Sequence, residues 1–167
     1  MLLSVIMTGD RQLVAKLDNM PAALKQALLV KVTQLTLRLE KKVKTEKLNG
    51  QVLNRITGNL ARSIASKVDQ GPESVTGRVF SSGDVKYAAI HEFGGQTAPH
   101  LILPKKAQAL AFTSKDGQRV FARKVNHPGS KMPERSFLRS ALRDMSADIT
   151  KELKATVIKT LKQGGPR

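Results

Sequence analysis

The chain contains no cysteine. Disulfides, thiolate catalysis and cysteine-ligated zinc are therefore excluded. Aromatic residues are scarce: there is no tryptophan, a single tyrosine, Tyr87, and five phenylalanines. With aromatics at 4% and hydrophobic residues at 40%, the core of these 167 residues must be built from Leu, Val, Ile, Ala and Met. That is a modest core for the length, and Tyr87 and the five phenylalanines are expected to belong to it. Basic stretches interleaved with aromatics, which would stack on nucleic-acid bases, are also wanting. Acids are few, 13 Asp and Glu against 29 Lys and Arg, for a net charge of +16. So large an excess of one sign is costly through self-repulsion and points to a polyanionic neighbour, either nucleic acid or an acidic protein surface. No apolar run is long enough to cross a bilayer, and the opening MLLSVIMTGDRQ has no basic leader. Neither a membrane span nor a signal peptide is expected.

What is present reads as two long helices around short strands. LLSVIMTG has the look of a strand ending at Gly9, and Asp10 is placed to cap a short helix over RQLVAKLDNM. Pro21 suits the first turn of a longer helix. In that helix Leu24, Leu28, Val32, Leu35, Leu39 and Val43 recur at steps of three and four, up to the basic run EKKVKTEKLNG. Thr57 and Gly58 look like a helix entry, with Leu60 and Ile64 on one side of a short turn. SIASKVDQGPESVTGRVFSS alternates around a Gly-Pro turn and predicts a hairpin. LAFTS and RVFARKV flank KDGQ, a second hairpin signal. From Pro133 the pattern turns helical, through Phe137, Leu138, Ala141, Leu142, Met145, Ile149, Leu153, Val157 and Leu161. QGGPR is expected to end the chain as a flexible tail. The expected fold is α+β: one unit over 1–167, a small antiparallel sheet flanked by a long helix at each end, with a hairpin insert at about 96–127.

Candidate chemistry is sparse. His91 and Glu92 stand together, but HEFGG lacks the second histidine four residues on that would complete a zinc-binding helix face. His100 and His127 each adjoin a proline and read as loop histidines. Neither a Gly-x-Ser-x-Gly elbow nor a phosphate-binding glycine loop occurs, and TGNLARS lacks the lysine that such a loop needs. No catalytic, cofactor-binding or metal-binding residue is assigned.

Three islands, TGNLARSI, YAAIHEFGG and HPGSKMPERSFLRSAL, stand in that order. Together they resemble the tail-completion or minor tail proteins of lambda-like and Mu-like tailed phages and prophages. Thr57, Gly58, Leu60, Ser63 and Ile64 match the first family pattern. Tyr87, Ala88, Glu92, Phe93 and Gly94 match the second, and Pro133, Phe137, Leu138 and Ala141 the third. Ser136 departs from the proline that often precedes the Phe-Leu pair, and the insert is longer than in the shortest members, which leaves the branch open. The resemblance implies a non-enzymatic virion protein of the neck or proximal tail, assembled in the host cytoplasm as a ring, expected to be hexameric, around the DNA path. Its implied partners are other copies of itself, a tail terminator or tail tube, a head connector or stopper, and genomic DNA in the lumen; no membrane is implied. The alternative is a cytoplasmic protein that binds nucleic acid without sequence specificity.

Residue chemistry gives the second island a packing role. Tyr87–Phe93 is expected as a short helical turn, with Ala88 and Ala89 permitting close approach and Ile90 and Phe93 facing inward. Glu92 would accept backbone hydrogen bonds or pair with an arginine, and Gly94 and Gly95 would reverse the chain. Lys41, Lys42, Lys44 and Lys47 on the long helix, and Lys105 and Lys106 in the insert, are candidates to face DNA or an acidic partner. In the last helix Phe137, Leu138 and Leu142 are expected to pack on the chain's own sheet beneath the Tyr87–Gly94 turn, leaving Leu153–Leu161 for partners.

Overall fold

A computed structural model describes residues 3–7, 22–72, 74–83, 85, 87–105 and 107–163. The short helix expected after Asp10, the Pro21 entry, Lys106 and the terminal residues 164–167 lie outside the described residues. The fold is α+β, with the two long helices packed together.

Helix α1 (Ala22–Lys42) buries Leu24, Leu28, Val32, Leu35, Thr36 and Leu39 on one face, as the three-and-four spacing requires. It continues in wider turns over Val43–Gln51, burying Val43, Lys47 and Leu48, until Asn49 and Gly50 leave helical angles. Beneath it lies a three-stranded antiparallel sheet in the order β1-β3-β2, from β1 (Leu3–Met7), β2 (Ile64–Gln70) and β3 (Val75–Ser81). The register is Ser66 opposite Val79 and Val68 opposite Gly77. Gly77 is where the helix crosses. A Cβ there would collide with the Thr36 hydroxyl and press on the Val32 side chain, so no other residue lets α1 lie this close.

Two short helices connect these elements: α2 (Asn59–Ser63) leads into β2, and α3 (Tyr87–Phe93) follows β3. The last helix, α4 (Leu138–Gln163), lies alongside α1 and reaches β1. The two run antiparallel, because Lys47 pairs with Asp144 while Lys31 and Arg38 pair with Glu152. The core joins Val32, Leu35, Leu39 and Val43 of the first helix to Ile64, Val79, Ala88, Phe137, Leu138, Ala141, Met145 and Ile149.

Several expectations need correction. The expected small antiparallel sheet is present as β1-β3-β2, and the insert adds three separate two-stranded ladders. The last helix begins at Leu138, five residues beyond Pro133, because its entry is set by a tertiary cap rather than by the proline. Its buried seam meets α1 more than the sheet. Of the aromatics, Phe137 alone is in the core: Tyr87, Phe93, Phe112 and Phe121 are exposed and Phe80 is half-buried.

The three ladders are nested. β4 (Gly95–Gln96) pairs with β9 (Lys131–Met132), β5 (His100–Ile102) with β8 (Val125–His127), and β6 (Leu110–Thr113) with β7 (Arg119–Ala122). Segment 95–132 thus doubles back on itself as one interrupted ribbon. None of its described hydrophobic side chains belongs to the core or packs against it.

Candidate functional site

Glu92 is the organising residue. Its side chain is 1% exposed, and a carboxylate so deeply buried requires partners. α3 aims it at the start of α4, where helix N-terminal N–H groups have no partners of their own. Oε2 accepts from the backbone N–H of Phe137 at 2.7 Å and of Leu138 at 2.9 Å. Oε1 accepts from Arg139 N–H at 2.9 Å, from the Ser136 hydroxyl at 2.7 Å and from Arg139 Nε at 3.1 Å. One carboxylate therefore serves as a long-range N-cap and complements the positive end of the helix dipole.

Arg139 closes the clasp from outside. Its Nη2 donates to the Glu92 carbonyl at 2.6 Å and to Glu134 Oε1 at 3.0 Å. Its guanidinium also lies 4.6 Å above the Phe93 ring, a cation–π contact. Phe93, expected to face inward, is accordingly 52% exposed: its neighbour Glu92 takes the inward position. Gly94 turns the chain at φ +69°, and a Cβ there would approach Glu134 N to 2.8 Å. Both the left-handed angle and the close approach require glycine.

The first island lies beside this clasp. Gly58, at φ 76°, opens α2, and the Thr57 hydroxyl stands a long 3.5 Å from Asn59 N–H. Leu60 packs half-buried against the core. Between this loop and α3 runs a groove of about 500 Å³, lined by Leu48, Leu53, Arg55, Ile56, Thr57, Gly58, Leu60, Ala61, Tyr87, His91 and Arg135 among others. All three islands thus border one depression, Arg135 standing between Pro133 and Phe137 of the third. Tyr87 meets the His91 ring edge-on at 5.9 Å. The His91 carbonyl accepts from Arg135 N–H at 2.7 Å, and His91 Nδ1 is buried without a partner. Burial and the nearby Arg135 charge pull the imidazole below its ordinary pKa, favouring the neutral ring.

The candidate lysines fall into two groups. Lys42 pairs with Glu46, Lys44 with Glu40 and Lys47 with Asp144, each at 2.6 Å. The hydrogen bond from Lys47 holds the Asp144 carboxyl below its ordinary value. The Lys47 side chain is only 9% exposed, so it braces α4 rather than reaching outward. Lys41 and Lys105 are exposed, and neither has a carboxylate partner among the described residues. His100 and His127 face each other across β5 and β8 with ring centres 4.9 Å apart. No cluster of three or more His, Asp or Glu occurs among the described residues, and no described helix is long and apolar enough to cross a membrane.

Sequence reasoning selected Glu92 but missed Arg139, Arg135 and Ile56. The arginines lie more than forty residues from Glu92 in the chain, and only the approach of α4 to α3 brings them together. Compared with protein-family models, with curated proteins and with solved structures, the chain matches none.

Proposed function

We propose that this chain is a structural virion protein of the neck or proximal tail of a tailed phage or prophage, acting in tail completion or head–tail joining. It works as a ring, hexameric in our reading, around the DNA path, between a tail terminator or tube and a head connector or stopper. The observation that carries the reading is the Glu92 clasp. Glu92, Phe93, Gly94, Phe137 and Leu138, which the resemblance singles out, all build one rigid junction between α3 and α4. A morphogenesis protein needs such a junction to hold its docking surfaces in fixed relation. The basic, exposed ribbon over 95–132 supports the reading as an arm able to contact neighbours, and the net charge of +16 suits a DNA-lined lumen.

Deleting the gene from an inducible prophage tests this directly. The expected result is DNA-filled heads and unjoined or incomplete tails, restored by the wild-type chain in trans, with the protein present in purified particles. Complete, infectious particles without it would overturn the proposal. Absence from particles, together with steeply salt-dependent binding of arbitrary duplex DNA, would instead favour the cytoplasmic nucleic-acid-binding alternative.

A further inference from the structure

The groove beside the clasp has a composition that the clasp does not explain. Ile56 is 94% exposed, and it lines the groove together with Leu48, Leu53 and Leu60. Cations frame it. Arg55 spends one N–H on the Lys44 carbonyl at 3.0 Å, and the Arg135 side chain has no carboxylate partner among the described residues. No described acid lines the groove.

We propose that this groove is a docking site for an acidic, aliphatic polypeptide segment of another protein. An aliphatic side chain of the segment packs on Ile56 and Leu53, and its carboxylates meet Arg55 and Arg135. The proposal deepens the assembly reading by naming the chemistry of one partner.

Charge chooses the occupant. A second copy of this chain is poorly suited, because Glu40, Glu46, Asp69, Glu92, Glu134, Asp144 and Glu152 are already held in internal ion pairs. Among the described residues that leaves Asp116 and Asp148, and Asp116 sits on a ribbon rich in lysine and arginine. Nucleic acid fits less well than a peptide. The apolar lining is aliphatic, and Tyr87 turns toward His91 edge-on instead of joining a stacking platform.

Fluorescence anisotropy on the intact protein tests the site with three labelled probes: a peptide alternating glutamate and leucine, one alternating glutamate and serine, and a short oligothymidylate. The glutamate–leucine peptide is expected to bind saturably. Ile56→Ser should weaken it by about tenfold, and the exposure of Ile56 keeps this variant folded. Arg55→Glu combined with Arg135→Glu should abolish binding, whereas Lys151→Glu with Lys154→Glu, the same change of net charge on α4, should leave it intact. Equal affinity for the glutamate–serine peptide would mean diffuse attraction and overturn the proposal. So would oligothymidylate binding lost in the same groove variants, or no saturable binding of the glutamate–leucine peptide up to about 1 mM. The two readings fail separately: the prophage deletion can succeed while the peptide fails to bind, and the reverse.

Discussion

At the scale of the residue, Glu92 shows how a single carboxylate replaces a local helix cap. Phe137 holds the N-cap position and has no side-chain acceptor, while the hydroxyl of Ser136 before it donates to Glu92. The unpaired N–H groups of Phe137, Leu138 and Arg139 are satisfied from another helix instead. Glu92→Ala would leave these donors buried and strip Arg139 of its inner partner. Removing one member of a buried charge-paired network costs about 3–5 kcal/mol. For a chain of this size that lowers Tm by roughly 6–20 °C. Glu92→Gln should fall between, since its amide nitrogen faces donors where an oxygen accepted. Glu134→Ala removes only the outer, exposed partner of Arg139, a change within about 0.5 kcal/mol. Thermal melts of the three variants check the order, and a Glu92→Ala melt equal to that of Glu134→Ala would refute the clasp. The residue types in YAAIHEFGG already exposed a capping or arginine-pairing acid. They did not expose which arginine, nor that Phe93 would lie outside under Arg139, since both depend on a contact across more than forty positions.

At the scale of the element, α4 divides in two along its length. Phe137, Leu138, Ala141, Met145 and Ile149 are buried, Leu153 is half-buried, and Ile158 and Leu161 are each 55% exposed. The spacing of apolar residues was legible for the whole helix, because periodicity marks a face whether or not it is covered. What covers the face was not legible: α1 takes most of it, where the sheet was expected. The exposed end is not a matter of length, since Ala23, Gln26, Ala27 and Val30 of α1 still flank Ala155, Thr156, Lys159 and Thr160 across an open groove, while Ile158 and Leu161 remain exposed. Phe137→Ala would empty a fully buried ring site, costing about 3–5 kcal/mol, and should lower the melting temperature of the isolated protein accordingly. Leu161→Ala should change it by less than about 0.5 kcal/mol equivalent and show any effect only in particle yield. A harmless Phe137→Ala beside a damaging Leu161→Ala would reverse the division.

At the scale of the whole molecule, packing and charge are kept apart. The core is aliphatic apart from Phe137 and joins α1, α4, α2, α3 and the three-stranded sheet, while none of the described residues from Gly95 to Met132 contributes to it. Yet the ribbon carries Lys105, Lys106, Lys115, Arg119, Arg123, Lys124 and Lys131 against the single acid Asp116. Its outermost ladder puts Leu110, Phe112, Val120 and Ala122 on one face, because Leu110 lies opposite Ala122 and Phe112 opposite Val120. An isolated two-stranded hairpin is marginal in water, so an apolar face on such a ladder is stabilised when a neighbour covers it. The turn chemistry of KDGQ made this hairpin legible in the sequence, but its detachment from the core was not, since alternation alone cannot say whether a strand joins a sheet or leaves it. Ile102 stands directly opposite Val125, so residues 103–124 can be replaced by an Asn-Gly turn that closes β5 on β8 without disturbing either strand. The shortened protein should melt within about 2 °C of the full chain, as no core contact is lost, and, on the function proposed above, should fail to restore particle assembly in the prophage deletion. A large drop in melting temperature would place the ribbon inside the folding unit. Full restoration of infectious particles would show that assembly does not use it.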